Sequence, residues 1–379
     1  MFNNIYSGKR VLITGHTGFK GSWLALWLKE LGAEVIGYAL QPPTNPNHFD
    51  LLTNHHTFSP SQLLEIVSII GDIRDRGKLI KTFRDYQPEI VFHLAAQPLV
   101  RYSYKNPMET FETNVMGTIN VFEACKQTES VRAIVNITSD KCYENKEWVW
   151  GYRENDPMGG YDPYSASKGC AEIVTNCYRN SFFNPSTVQA SNPLTNSTLL
   201  ASARAGNVIG GGDWAEDRLI PDVMRAVSKN EKVIIRNPEA IRPWQHVLEP
   251  LSGYLLLGQK LLEGKIEFAE AWNFGPNDEG SVSVKEIVEI IKTYWDKIDY
   301  EISIDSNNPY EANFLKLDCS KAHIRLKWQN VWDAQETFAK TVEWYKKYYT
   351  DKNVSSMNDL KNYIQKAKEK NVEWAIQKK

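Results

Sequence analysis

The chain has 379 residues, of which 42% are hydrophobic and 24% are charged. This composition allows a large core and excludes disorder over most of the length. Because 44 basic residues are balanced by 46 acidic ones, for a formal net charge of -2, the chain has no overall attraction for nucleic acid or for an anionic membrane. Any anionic ligand must therefore be held by local groups.

Signals for export, membrane insertion and metal binding are missing from the sequence. Residues Met1 to Tyr6 lack the basic segment and apolar run of a secretory signal, and no run reaches the roughly 18 apolar residues of a membrane span. The five cysteines show no CxxC spacing, and no histidine has a partner at metal-ligand spacing. We expect a cytoplasmic protein with free thiols and with no metal, membrane or nucleic-acid partner.

Apolar runs of strand length alternate with helical patterns through the first half of the chain. The predicted strands are Arg10–Thr14, Glu34–Ala39, Ser68–Ile70, Ile90–Leu94, Ala133–Thr138 and Leu199–Ala203. The predicted helices between them are Phe19–Leu31, Met108–Lys126 and Tyr164–Asn180. This alternation predicts an α/β fold with a doubly wound parallel Rossmann sheet.

The pattern changes after Arg204, where a glycine-rich loop, short strands such as Val233–Arg236 and proline-interrupted helices begin. A chain of this length also exceeds the roughly 250–300 residues of a single core. We therefore predict a dinucleotide-binding domain over residues 1–204 and a smaller C-terminal α/β substrate-binding lobe over residues 205–350, with some strand exchange between them. The lysine-rich residues 351–379 are predicted to form a polar helix or a frayed tail.

The first predicted strand runs directly into a GxxGxxG turn that opens a helix. Such glycines allow a pyrophosphate to approach closely, and the free amides of the helix N-terminus favour its charge. A tight strand-to-helix turn without a ligand has the same pattern, so other residues must support the cofactor reading. The motif consists of Gly15, His16, Thr17, Gly18, Phe19, Lys20 and Gly21.

The ends of the next strands carry weaker signals. Residues 37–41 hold neither a carboxylate for a ribose 2'-hydroxyl nor an arginine for a 2'-phosphate, which leaves NAD and NADP undecided. Asp72 is placed to bond an adenine amino group, or it is a solvated turn residue. The small residues in Leu94-Ala95-Ala96 allow close approach to a cofactor, or merely helix-to-sheet packing.

Tyr164 and Lys168 stand one helical turn apart on the same face. A tyrosine, whose ordinary pKa is about 10, is a base near neutrality only beside a positive charge, which Lys168 and a nicotinamide ring would both supply. The pair follows both the glycine motif and a strand that ends in Thr138-Ser139-Asp140. This order favours a reaction centre over two ordinary helix residues.

From about Lys9 to Tyr348 these features resemble the extended short-chain dehydrogenase/reductase superfamily of epimerases and dehydratases. More narrowly, the chain is similar to the CDP-glucose 4,6-dehydratases in five strings that occur in the same order. The strings are GHTGFKGSWL (15–24), LAAQPLVR (94–101), TSDKCYENKEWVWGY (138–152), RAGNVIGGGDW (204–214) and RPWQHVLEP (242–250).

The resemblance implies a nucleotide-sugar substrate and catalytic use of NAD. It implies that Tyr164 takes the proton of the sugar 4-hydroxyl as hydride leaves carbon 4, that Ser139 bonds the same oxygen, and that Lys168 holds the nicotinamide ribose and lowers the tyrosine pKa. Water is then lost across carbons 5 and 6, and hydride returns to carbon 6. Asp140 is the candidate acid for the departing hydroxyl, since a buried carboxyl can be held protonated.

Lys141 departs from the wider dehydratase pattern, in which a glutamate at this position removes the proton on carbon 5. A lysine can be that base only if its pKa is lowered. Alternatively, Lys141 pairs with Asp140 or polarises the ketone, and another group removes the proton. Both readings stay open.

The resemblance also assigns binding residues and an assembly. To the cofactor site it adds Ile73, Asn114 and Thr138. The implied substrate residues are Gln97, Ser139, Arg204, Asn207, Arg218, Leu219, Val233, Arg236 and Arg242. By analogy, the helices that begin near Met108 and Tyr164 form the interface of a homodimer or homotetramer.

Two other functions compete with this interpretation. An NAD-dependent nucleotide-sugar 4-epimerase shares the cofactor residues but has no need of an acid such as Asp140, and a dehydratase for another nucleotide-hexose shares the whole chemistry. A non-catalytic dinucleotide sensor has no need of Tyr164, Lys168 and Ser139 together.

Overall fold

A sheet of seven parallel strands lies at the centre of the molecule, with strand order β10-β6-β5-β4-β1-β2-β3. The computed structural model describes residues 1–54, 63–183, 198–276, 281–303 and 314–376. The strands are β1 (Arg10–Thr14), β2 (Glu34–Ala39), β3 (Val67–Ile70), β4 (Ile90–His93), β5 (Ala133–Ile137), β6 (Leu199–Ala205), β7 (Asn207–Ile209), β8 (Val233–Ile235), β9 (Ile241–His246), β10 (Ala271–Phe274), β11 (Ser281–Ser283) and β12 (Tyr300–Ile302).

Helices cover both faces of this sheet, which explains why its middle strands are apolar along their length. In β1, for example, Val11 is fully buried and lies opposite Val35 of β2 and Ile90 of β4. The helices are α1 (Phe19–Glu30), α2 (His48–Thr53), α3 (Arg76–Tyr86), α4 (Val100–Lys105), α5 (Pro107–Phe111), α6 (Gly117–Lys126), α7 (Pro163–Phe182), α8 (Leu219–Ser228), α9 (Leu248–Leu262), α10 (Val284–Tyr294), α11 (Ala334–Asp351) and α12 (Ser356–Glu369).

The predicted doubly wound parallel sheet is confirmed, and all six predicted strands are present with small changes at their ends. The seventh strand, β10, comes from the second half of the chain and pairs with β6, with Trp272 opposite Ala203. The predicted helix Met108–Lys126 consists of α5 and α6 joined by a π-helix over Glu112–Met116.

Smaller sheets follow β6. Strands β11, β9 and β7 form a three-stranded sheet, and β12 pairs with β8. The sheet that contains β7 and β9 lies beside the carboxyl ends of the parallel strands. Open α/β sheets bind their ligands at this edge.

The C-terminal segment, predicted as a polar helix or a frayed tail, contains a helix that packs against the core. Helix α12 buries Leu360 and Tyr363, and the Tyr363 hydroxyl donates to Glu249 at 2.9 Å. Beyond the helix, Trp374 stacks on Phe2 with ring centroids 5.0 Å apart. Several lysines of this segment make contacts with the rest of the chain, as Lys366 pairs with Glu336 and Lys370 donates to the Val331 carbonyl at 2.5 Å.

Candidate active site

The glycine turn after β1 presses against the loop after β4, and only glycine fits at two of its positions. Gly15 has a φ of +80°, and a Cβ added there would lie 2.8 Å from the amide nitrogen of Ala95. A Cβ on Gly21 would lie 2.1 Å from the Gly15 carbonyl oxygen. Because Gly18 caps α1 without a side-chain hydrogen bond, the first-turn amides of α1 remain available to an anion.

His16 and Thr17 of this turn are bound by protein groups. The His16 ring covers Gly37, where an added Cβ would lie 2.3 Å from it, and its Nε2 lies 2.7 Å from the Ser68 hydroxyl. Burial lowers the pKa of His16 to about 4, so its ring is neutral near pH 7. The Thr17 hydroxyl donates to the Leu40 carbonyl at 2.9 Å. Both side chains therefore make contacts within the protein that hold the glycine turn in place.

The remaining cofactor candidates line the neighbouring strand ends. Although burial opposes it, hydrogen bonds from Arg74 lower the pKa of Asp72, whose carboxylate lies 2.6 Å from that guanidinium. Ile73 is buried against Gly117. The Asn114 side chain accepts from the Gln97 amide at 2.8 Å and donates to Ser167 of α7 at 2.8 Å. Asn114 thus ties the loop after β4 to the helix of Tyr164.

Helix α7 begins so that Tyr164 lies in its first turn. The Asp162 side chain caps the helix by accepting from the Ser165 amide at 2.9 Å, and Pro163 occupies the first helical position. Tyr164 is 8% exposed, and Ser139 at the end of β5 is close enough to lower the pKa of its hydroxyl. Two residues predicted from separate segments therefore lie close together.

The charges around Tyr164 differ from those expected. Burial raises the pKa of Tyr164 to about 12, against the lowering effects of the Ser139 hydrogen bond and of Arg218. Burial also lowers the pKa of Lys168 to about 8. The positive charge of Arg218 acts to lower the Tyr164 pKa, and the predicted effect of Lys168 together with a nicotinamide ring stays a prediction.

Asp140 lies beside Ser139 and is 4% exposed. Burial raises its pKa, although the positive charges of Lys141, Lys20 and Arg242 oppose this effect. Lys20, predicted to bind the cofactor, is thus close enough to Asp140 for an electrostatic interaction, and burial lowers its pKa to about 8. The partly buried Lys141 also lies near Asp140.

Arg204, predicted to bind the substrate, is held by groups of the protein itself. It is buried and pairs with Glu172 of α7 at 2.8 Å, and it also donates to the Tyr143 hydroxyl at 2.6 Å. Glu172 accepts further hydrogen bonds from Thr138 and Ser202. The network holds α7 against the ends of β5 and β6, which carry the residues before Ser139 and Gly206.

Glu172→Gln is expected to destabilise the protein by about 3–5 kcal/mol, because it leaves the Arg204 charge buried without its partner. Although burial opposes it, Arg204 lowers the pKa of Glu172 to about 2. A lowered folded-state pKa stabilises the fold above the ordinary glutamate range, and this stability is lost as pH falls toward 2. Urea titrations at pH 7 and pH 3 check both parts.

The partly exposed Glu123, paired with Lys126 at 2.8 Å, is the matched control. Glu123→Gln should cost less than about 1 kcal/mol, as exposed pairs do. An equal loss from both variants would contradict a special role for the buried pair.

The three predicted substrate arginines other than Arg204 lie near the carboxyl edge of the sheet. Arg218 pairs with Asp213 at 2.7 Å, and Tyr164 and Lys20 are within its electrostatic range. Arg242 on β9 interacts electrostatically with Asp140. Arg236 pairs with Asp217 at 2.9 Å, further along the same loop region.

Three uncharged substrate candidates have different surroundings. Asn207 and Leu219 are partly exposed, at the start of β7 and of α8. Val233 is buried in the core, and its amide donates to the Asp299 carbonyl at 3.0 Å. The prediction that Val233 and Arg236 flank the substrate base stays a prediction, and Val233 would contribute through its backbone.

The sequence matches the family described as GDP-mannose 4,6 dehydratase over residues 12–341. The chain belongs to this family. One relative, a CDP-glucose 4,6-dehydratase of Salmonella typhimurium, is 53% identical over 363 residues, which are 95% of this chain and 98% of the relative. A dTDP-D-glucose 4,6-dehydratase of Homo sapiens is 26% identical, and the match covers 91% of this chain and 93% of the relative.

Solved structures agree on the fold of this GDP-mannose 4,6-dehydratase family member. An epimerase from Methanothermobacter thermautotrophicus superimposes with a TM-score of 0.74 at 22% identity, over 92% of this chain and 95% of that one. A dTDP-glucose 4,6-dehydratase from Bacillus anthracis, solved in complex with NAD, has a TM-score of 0.70 at 19% identity, over 90% and 97% of the two chains. Identities this low establish the fold alone.

Sequence reasoning missed Glu172 and Asp213, the two carboxylates that pair with Arg204 and Arg218. Glu172 stands one turn beyond Lys168 on α7, and that spacing was the available signal. In the described part of this family member, none of the helices is long and apolar enough to cross a bilayer. The same residues contain no group of three or more histidine, cysteine, aspartate or glutamate side chains that could hold a metal ion.

Proposed function

We propose that the protein is a CDP-glucose 4,6-dehydratase that converts CDP-D-glucose to CDP-4-dehydro-6-deoxy-D-glucose and water with catalytic NAD. The observation that carries the proposal is the cluster of Tyr164, Ser139 and Asp140. In this proposal Tyr164 and Ser139 bind the hydroxyl that is oxidised, and the adjacent buried Asp140 is the acid for elimination. The 53% identity to the Salmonella enzyme over 95% of this chain supports the choice of CDP-glucose.

The residues around the glycine turn fit a dinucleotide. Gly15 lets the turn approach the Ala95 backbone closely, and the uncapped amides of α1 suit a pyrophosphate. When bound, NAD would supply the hydride acceptor for the oxidation at carbon 4 and the hydride donor for carbon 6.

The chain's own groups handle the protons and the charge of the substrate. Tyr164 would take the proton of the 4-hydroxyl, and Lys168, one turn along α7, would hold the nicotinamide ribose. Asp140 would give a proton to the hydroxyl that leaves carbon 6. Arg218 and Arg242 would bind the diphosphate, for which arginine is the better bidentate partner.

The base for carbon 5 remains a choice between two readings of Lys141. Its position beside Asp140 supports both an ammonium that pairs with the carboxylate and a lysine that acts as base. Lys141→Met, followed by exchange of the carbon-5 proton with deuterated solvent, separates them, because only loss of the base stops the exchange.

The proposed function is tested by incubating the purified protein and NAD with CDP-, dTDP-, UDP- and GDP-hexoses and recording product masses. Loss of one water from CDP-glucose alone supports both the chemistry and the base. An unchanged mass with altered sugar stereochemistry would make the protein an epimerase, and water loss from another nucleotide-hexose would change the substrate.

We also expect a homodimer or homotetramer that acts in the cytoplasm. Helix α5, the π-helix and α7 expose large apolar side chains, with Met108 75%, Met116 52% and Ile173 59% exposed. Adjacent exposed apolar groups favour burial in a subunit contact. The five free cysteines agree with a reducing compartment.

Met108→Glu/Ile173→Glu is expected to convert the assembly to monomers, because burying two added charges in the contact is unfavourable. Light scattering at micromolar concentration measures the change. Ile234→Glu on β8, where the side chain is 54% exposed on another part of the surface, is the matched control. A monomeric wild-type protein would contradict the prediction.

A further inference from the structure

The loop between β7 and α8, residues 210–218, carries Arg218, which the proposed function assigns to the substrate diphosphate. The Arg218 guanidinium pairs with the Asp213 carboxylate at 2.7 Å. In this pair the Arg218 side chain is 35% exposed, whereas Asp213 is only 5% exposed. Arg218 therefore keeps a surface that can contact a ligand, while its position depends on a buried carboxylate.

Both oxygens of the Asp213 carboxylate accept hydrogen bonds from this loop. Oδ1 accepts from the Ala215 amide at 3.0 Å, and Oδ2 accepts from the Arg218 guanidinium. The short turn from Asp213 to Ala215 fixes the carboxylate relative to its own backbone. A shift of the Asp213 backbone would consequently shift the guanidinium of Arg218.

The hydroxyl of Tyr345, on helix α11, holds this backbone at two points. It accepts from the Asp213 amide at 3.0 Å and donates to the Asp213 carbonyl. A phenol has one proton to donate and lone pairs with which to accept, so one hydroxyl satisfies both polar backbone groups of Asp213. Tyr345 is 0% exposed, and bulk water is therefore kept away from both contacts.

Helix α11 also packs against the neighbouring residues of the loop. A Cβ added to Gly211 would lie 2.0 Å from the ring of Trp344, so the loop backbone can approach the helix this closely only at a glycine. The Trp214 indole donates to the Tyr349 hydroxyl at 3.0 Å. The helix thus holds the loop from Gly211 to Trp214, and Tyr345 makes the contacts to the Asp213 backbone.

We propose that Tyr345 is a positioning residue for substrate binding, which fixes Asp213 and thereby holds Arg218 in place for the diphosphate of the nucleotide sugar. This inference rests on the proposed function, in which Arg218 binds that diphosphate. Tyr164 is within electrostatic range of Arg218, so the guanidinium is held on the side of the candidate reaction centre. A side chain that is ordered before the ligand arrives lowers the entropic cost of binding.

The test is a double-mutant cycle that measures the dissociation constant of CDP for the NAD-loaded protein by calorimetry. Tyr345→Phe is expected to weaken CDP binding about 10-fold and Arg218→Gln about 10²-fold, in the range for hydrogen bonds to charged groups. When Tyr345→Phe is added to Arg218→Gln, the affinity should change by less than about 2-fold, because both residues act through one contact.

Tyr349→Phe is the matched control for this cycle. It removes a hydroxyl of the same helix that contacts the Trp214 side chain instead of the Asp213 backbone. Tyr349→Phe should bind CDP as tightly as the wild type does. A merely structural role of Tyr345 would weaken CDP binding equally with and without Arg218, so additive losses overturn the proposal. Unchanged affinity in Tyr345→Phe overturns it as well.

Hydrogen exchange of residues 210–218 in the wild type gives a second measurement, which needs no variant to fold. The Asp213 amide should be protected before CDP is added. Protection that appears only with CDP would show that Arg218 is not positioned in advance, and this result also overturns the proposal. Water loss from another nucleotide-hexose and not from CDP-glucose refutes the proposed function alone, and the same cycle with the diphosphate of that nucleoside then tests Tyr345.

Discussion

Replacement of Tyr164 by phenylalanine is expected to lower the rate of cofactor reduction by about 10²–10⁴-fold while NAD binding is retained, because the change removes only the proton-accepting oxygen. The ring is buried in the first turn of α7, so phenylalanine keeps its packing. Stopped-flow absorbance of reduced cofactor with CDP-glucose measures the rate, and cofactor titration measures binding.

Tyr161 is the matched control for this variant. It lies three residues earlier, before α7 begins, and is 80% exposed. Tyr161→Phe should reduce the cofactor as fast as the wild type. If Tyr164→Phe also retains that rate, then Tyr164 is not the base for the 4-hydroxyl, and the assignment passes to another group at this edge of the sheet.

Asp140→Asn is expected to stop the reaction after oxidation, with reduced cofactor accumulating on the enzyme. Asparagine has nearly the same shape and can still accept the Ser139 hydrogen bond, but it cannot take up and deliver a proton. Water loss should fall by about 10²–10⁴-fold, the range for loss of a general acid. Single-turnover absorbance and product mass resolve the two steps.

Asp156→Asn serves as the control, because Asp156 accepts from the Arg153 amide in an exposed turn. Normal turnover in Asp140→Asn would show that another group protonates the leaving hydroxyl. Failure to reduce the cofactor would place Asp140 in the oxidation instead. An epimerase, which has no elimination step, would tolerate the substitution, so the same variant distinguishes the two functions.

The candidate site was predicted well where its residues are close in sequence. The glycine turn and the Tyr164/Lys168 spacing are read from short strings, and both lie where the carboxyl ends of the strands converge. Their chemical roles stay predictions until the variants are measured. The roles of the arginines were harder to predict. The sequence alone does not distinguish an arginine that binds a ligand from one that pairs with a buried carboxylate.

Arg204 and Val233 illustrate this difficulty. Both lie in or near strings that resemble a dehydratase, yet Arg204 pairs with Glu172 and Val233 lies in the core. The partner of Arg204 is 32 residues away in the chain. No local pattern links positions so far apart, so only the packing of α7 on β6 reveals the pair.

By itself the sequence determined the alternation of strands and helices, the glycine turn and the class of chemistry, because periodicity and turn geometry are properties of neighbouring residues. Only the tertiary structure decided that β10 completes the sheet, that α12 packs against the core, and that Tyr164 lies close to Ser139 and Asp140. These relations depend on long-range packing, which places side chains from distant segments within hydrogen-bond distance and removes them from water.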